Sequence, residues 1–187
     1  MGLGFLGLLW ASRRLKGTSP AALVPLIIGV AVLLRIILLP LPPSLSNDIY
    51  RYVWDGQVLV AGFNPYELAP DAPELVPLRD QLWSELAHRD IPTVYPPLAQ
   101  GLFALSATLP ASVYALKAIL VLLDVAACSL LLLLARRWRL PSHRVIWYAW
   151  NPLVVVEIAG MGHIDGLGVA MVVLTTTWLA FARRRVL

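Results

Sequence analysis

The stretch SNDIYRYVWDG, residues 46–56, spaces polar side chains for shared chemistry. On a helix, Asp48, Tyr52 and Asp55 fall at i, i+4 and i+7 and share one face, with Arg51 on the same side. A carboxylate on such a face beside a membrane can take a proton from a hydroxyl, so Asp48 is a candidate general base. The structural alternative for Asp48 is local. Ser46 can cap the helix and place Asp48 in the first turn, where the helix dipole favours negative charge. Asp55 is either a structural partner of Arg51 or a member of the site. A second polar stretch, GHIDG at 162–166, carries His163 and Asp165 between two apolar runs. Its glycines permit a tight turn, and its alternative reading is a polar loop ending two helices. Two acids and a histidine could also suggest a metal. Their spacing matches no metal motif, and no metal or other cofactor is expected.

The elements that must hold these residues lie in a membrane. The chain has 187 residues and only 14% charged residues, and its mean hydropathy is +0.74. A soluble domain of that length needs more polar surface. The apolar residues come in long blocks, which defines an all-α polytopic membrane protein. The net charge of +4 raises the question of nucleic acid, but the arginines stand at the ends of apolar runs. The positive-inside rule accounts for them, and nucleic-acid binding is excluded. The single cysteine, Cys128, rules out an intrachain disulfide.

Four spans are expected, over about 21–41, 112–135, 143–160 and 165–182. The run Gly2 to Ala11 is too short to cross a bilayer. It reads as an interfacial segment or the tail of a span. Arg13, Arg14 and Lys16 precede the first span and place its N-terminus in the cytoplasm. Residues 42–110 then form a long external loop. It carries eight of the eleven acidic residues and two amphipathic surface helices, in SNDIYRYVWDGQVLVAG and PELVPLRDQLWSELAHRD. The apolar run at 97–110 is read as a juxtamembrane helix. That leaves the RRWR cluster at 136–139 and the RRR cluster at 183–185 on the cytoplasmic side. The stretches SNDIYRY, VYPPL and GHIDG then share the outer side.

Ionisable groups inside apolar runs invite a functional reading. Arg35 lies near the outer end of the first span, and Lys117 near the outer end of the second. Each either snorkels to the interface or meets a lipid phosphate. Asp124 sits near mid-membrane and must face protein or water. Glu157 is a further acid close to the outer end of the third span.

The motifs together resemble the GT-C superfamily of membrane glycosyltransferases. The likeness is to the bacterial polyprenyl-phosphomannose-dependent mannosyltransferases and to the enzyme that adds the first mannose of GPI anchors. It rests on NDIY at 47–50, GFNPY at 62–66, YPPL at 95–98 and NPLVVVEIAGMGHID at 151–165, four elements in family order. The resemblance implies that Asp48 stands at the catalytic acidic position and that Asp165 lines the same cavity. It also supports a juxtamembrane helix after YPPL. Arg51, Tyr52, Asp55, Tyr95, His163 and Asp165 are then the expected substrate-binding residues, and Arg35 and Lys117 the cations for the donor phosphate. Many relatives carry a second acid two residues after the first, where this chain has Tyr50. Whether Asp55 substitutes for it is open.

The expected activity is transfer of a sugar, mannose by resemblance, from a polyprenyl-phosphate-linked donor to an acceptor hydroxyl on a glycan or glycolipid. It would take place at the outer face of the plasma membrane. Such enzymes usually have more spans, so the chain reads as their N-terminal part, with a C-terminal half or second subunit as partner beside membrane lipid. Two alternatives stand against it. One is a non-catalytic truncated membrane protein or subunit. The other is a transporter or flippase fragment using Asp124 and Glu157.

Overall fold

The computed structural model describes residues 2–182, whose regular elements are helices, with no strand among them. The order is α1 (Gly2–Arg14), α2 (Pro20–Leu38), α3 (Asp48–Val60), α4 (Gln81–Ser84), α5 (Pro97–Ala107), α6 (Ser112–Arg137), α7 (Ile146–Ala149), α8 (Pro152–Val155) and α9 (Asp165–Ala182). Three of these, α2, α6 and α9, are long and apolar enough to cross a membrane. Arg183 to Arg185, in the last basic cluster, lie outside the described residues.

The third expected span, 143–160, is not one helix. A 3₁₀ turn at Ser142–Val145 leads into α7, which ends at Trp150. Asn151 is extended, and its side chain accepts a bond from the Leu153 N–H to start α8. The residue before a proline is pushed out of the α region, so Pro152 breaks the helix here. A π-helical turn, Val156–Met161, completes the segment. Proline also divides the second expected surface helix. Residues Pro73–Leu78 form a 3₁₀ helix containing Pro77. Arg79 is extended, and Asp80 caps α4 by accepting from the Leu82 and Trp83 N–H groups.

The chain divides into two compact units. Unit 1 comprises residues 1–41, 120–160 and 164–187, and unit 2 comprises 42–119 and 161–163. In unit 1, Leu8, Leu23, Ile27, Ala31, Cys128, Leu132, Ile146 and Ala149 pack into one buried cluster. The Trp150 indole N–H donates to the Ile27 carbonyl at 3.0 Å. Inside this unit, Arg35 and Asp124 form an ion pair, Nε to Oδ2 at 2.5 Å, with both side chains 0% exposed. Arg35 also donates to the carbonyls of Ala31 (3.0 Å) and Ala149 (2.7 Å). Tyr148 donates to the other oxygen of Asp124 at 2.5 Å. A buried charge is tolerated only when paired and hydrogen-bonded, and these contacts supply both conditions.

In unit 2, α3 packs along α5. Gly56 makes the approach possible: a Cβ there would overlap the Phe103 carbonyl and come within 2.9 Å of the Ala104 nitrogen. The opposite side of α3 buries Trp54 and Val58 against Leu75 and Leu86 of the loop. The 42–96 segment thus has a small core of its own. Two of its motifs are tied together: the Tyr66 hydroxyl donates to the Tyr95 carbonyl at 2.6 Å, and the Thr93 N–H to the Pro65 carbonyl at 2.9 Å. GFNPY and YPPL therefore act as one brace.

Candidate functional site

The first turn of α3 opens the site. Asn47 is the N-cap and makes no side-chain cap bond. Ser46, one residue earlier than a cap, accepts from the Asp48 N–H at 3.1 Å. The Asn47 amide instead donates to the Glu85 carbonyl at 3.1 Å, across to the loop. The Asp48 carboxylate is left 53% exposed. It borders a cavity of about 170 Å³ whose walls include Asn47, Arg51, His88, Ile91 and Tyr95.

Arg51 builds one wall. Its Nε donates to Asp55 Oδ1 at 2.8 Å, Nη1 to the His88 carbonyl at 3.0 Å and Nη2 to the Ile91 carbonyl at 2.7 Å. His88 sits in the left-handed region, φ 51°, a conformation that costs a non-glycine residue free energy. The bond from Arg51 to its carbonyl helps hold it there. Asp55 anchors this arginine from behind. It is 2% exposed, and Gln100 donates to its second oxygen at 3.4 Å and to Thr93 Oγ1 at 2.8 Å. Burial raises the Asp55 pKa above the ordinary carboxylate value, and Arg51, Thr93 and Gln100 pull against that rise. Tyr52 lies beside it in an aromatic cluster. It stacks on Phe103 at 4.9 Å and meets Tyr95 edge-on at 4.8 Å. Burial raises the Tyr95 phenol pKa, so this hydroxyl remains a donor at neutral pH.

His163 reaches the same place from a distant part of the sequence. Its Nε2 is 3.8 Å from Asp48 Oδ2, beyond hydrogen-bond length, and the two attract as ions when the imidazole is protonated. Gly162, with φ +74°, delivers it. A Cβ there would collide with Ile49 and come within 3.0 Å of Lys117 Cγ. The preceding Met161 sulfur accepts from the Leu45 N–H at 3.2 Å.

The structure thus gathers Asp48, Arg51, Tyr95 and His163. Tyr52 and Asp55 stand behind the cavity wall rather than on it, because both face the α3–α5 interface. Arg35 neither snorkels nor faces a surface; it is buried in unit 1 on Asp124. Lys117 is also fully buried, its ammonium 5.7 Å from the Tyr114 ring. Asp165 is exposed in the first turn of α9, in unit 1, where the helix dipole favours it. Among the described residues no three His, Cys, Asp or Glu side chains gather as a metal site. Sequence reasoning missed His88, Thr93 and Gln100. Each contributes through contacts distant in sequence, and no local pattern marks them.

Three helices long and apolar enough to cross a membrane, with a structured polar loop after the first of them, define a helical, polytopic membrane protein. The chain belongs to the MptA_B family, described as alpha-(1->6)-mannopyranosyltransferase, N-terminal domain, which it matches over residues 1–187. It is therefore an N-terminal domain of a mannosyltransferase family. No curated protein matches the chain, and no solved structure does.

Proposed function

We propose that this domain carries the general base of a glycosyltransferase that moves mannose from a polyprenyl-phosphate donor to an acceptor hydroxyl at the outer membrane face. One observation carries the reading. Of the two carboxylates on the inner face of α3, Asp55 is buried and bonded to Arg51 and Gln100, whereas Asp48 is half exposed on a cavity. Asp48 is the one free to meet a substrate.

In this reading Asp48 takes the proton of the acceptor hydroxyl as its oxygen attacks the anomeric carbon. The bond from that carbon to the phosphate oxygen breaks, and the phosphate leaves as an anion without a general acid. The displacement inverts the anomeric centre. Arg51, whose guanidinium lines the cavity, is the cation offered to the donor phosphate in this reading. Lys117 is fully buried and does not line the cavity, and Arg35 is buried on Asp124, so neither is offered there. The N-terminus and the basic ends of α1 and α6 face the cytoplasm, where the charge rule puts them. The transport reading loses its main support, since Asp124 is saturated by Arg35 and Tyr148.

The test is Asp48→Asn in the full-length enzyme, which keeps shape and removes basicity. Transfer should fall by about 10²-fold or more, with expression and donor binding little changed. Near-normal turnover would remove Asp48 from the chemistry and this reading with it.

A further inference from the structure

A second cavity lies within unit 1 and is lined by none of the site residues named above. It measures about 830 Å³. Its walls are the start of α2 (Pro20, Ala21, Val24, Pro25), the end of α6 (Arg136) and the turn that follows (Arg139 to Ser142). The start of one membrane-length helix and the end of another place it at headgroup depth.

Its chemistry is one-sided. Arg136 and Arg139 are exposed, and neither makes an ion pair or a side-chain hydrogen bond among the described residues. Among the described residues no carboxylate lines the space. The first turn of the 19-residue α2 borders it, and Ser19 at the N-cap makes no side-chain bond to that turn. Its N-terminal dipole adds to the positive field. Val24, Pro25 and Leu140 supply an apolar wall next to this charge.

Arg139 gives an independent sign. The Leu140 N–H bonds to the Ala135 carbonyl at 2.8 Å and the Arg139 N–H to that of Arg136 at 3.2 Å. This is the Schellman ending of a helix, and its left-handed position is normally filled by glycine. Here Arg139 occupies it at φ 56°. The strain is tolerated at a position where the side chain adds the second charge to the cavity rim.

We infer that this cavity binds the headgroup of an anionic phospholipid, with the phosphodiester between Arg136 and Arg139 and the start of an acyl chain on Val24, Pro25 and Leu140. Charge complementarity and interfacial depth select a lipid over a soluble anion, and the apolar wall would be idle for free phosphate. The inference stands apart from the transfer reaction and does not depend on it.

The experiment uses the full-length enzyme. Native mass spectrometry reads retention of phosphatidylglycerol against phosphatidylcholine, and thermal melting runs in parallel. The wild type should prefer phosphatidylglycerol. Each charge removed should lower that preference by about fivefold, so about 25-fold for Arg136→Gln with Arg139→Gly, near the usual contribution of a basic residue at a membrane surface. Arg139→Gly should hold or raise the melting temperature, because glycine accepts this conformation freely. Arg136→Gln lies in regular helix and decides the matter if the glycine variant melts early. Equal retention of the two lipids by the wild type overturns the inference, as does a preference that survives both substitutions. Displacement by inorganic phosphate as readily as by lipid overturns it too, and makes the cavity a simple anion site.

Discussion

Each unit contains an arginine–aspartate pair, and the two pairs do different work. Arg35 and Asp124 are both 0% exposed, and the other contacts of Arg35 are carbonyls of α2 and α7 within the same unit. That pair stitches helices together. Arg51 and Asp55 are 11% and 2% exposed, and the other two contacts of Arg51 are loop carbonyls at a cavity wall. This pair shapes a site. The setting differs in the same way. Unit 2 holds eight of the eleven acidic residues but only four of the fifteen lysines and arginines. Unit 1 holds only three acidic residues, and Asp124 among them is neutralised inside by Arg35. In unit 2 Asp55 is likewise buried on Arg51, while Asp48 stays half exposed at a cavity.

The largest effect should come from breaking the buried pair. Asp124→Ala leaves Arg35 charged and uncompensated, and should cost about 3–5 kcal/mol. A large drop in melting temperature in detergent would register it. The double change Arg35→Met with Asp124→Leu should recover most of the loss, since apolar packing replaces such pairs well. A double variant as unstable as the single one would mean the pair does more than stitch.

Arg51→Gln should have a smaller effect on stability, about 2–3 kcal/mol at most for charge-assisted bonds to partly exposed carbonyls. Its signature is local. Amide hydrogen exchange should speed up around residues 88–91 and stay unchanged in unit 1. Uniform acceleration through the chain would erase the contrast between a stitching pair and a shaping pair.

The smallest effect concerns pH. Burial raises the Asp55 pKa in the folded protein above its unfolded value, with Arg51 opposing. The fold then binds the Asp55 proton more tightly than the unfolded chain does. This contribution to stability is greatest at acid pH and declines as pH rises through the ordinary carboxylate range to the raised value. Asp55→Asn should remove that slope from the melting temperature between acid and neutral pH. An unchanged slope would assign it to other carboxylates.

The comparison also shows what a linear reading could reach. Helical spacing placed Asp48, Tyr52 and Asp55 on one face, and that face is the inner one, but spacing says nothing of depth. Whether a carboxylate ends up exposed or buried depends on α5, which arrives about forty residues later and meets α3 at Gly56. The snorkelling reading of Arg35 failed for the same reason, because its partner lies 89 residues away. The break in 143–160 was legible in principle, since Asn151-Pro152 stands in its middle. The apolar composition on either side masked it.

Composition alone determined the class of this protein: too few polar groups to face water, and apolar blocks of bilayer length, leave helices in a membrane as the way to satisfy the backbone. Motif order pointed to the glycosyltransferase family, because the polar residues of the loop keep their types and sequence. Tertiary structure decided which ionisable groups are free. A charge in a low-dielectric interior must find a partner, and partners come from segments that only the fold brings together. Asp124 found Arg35 and Tyr148, Asp55 found Arg51 and Gln100, and Asp48 kept its place on the cavity.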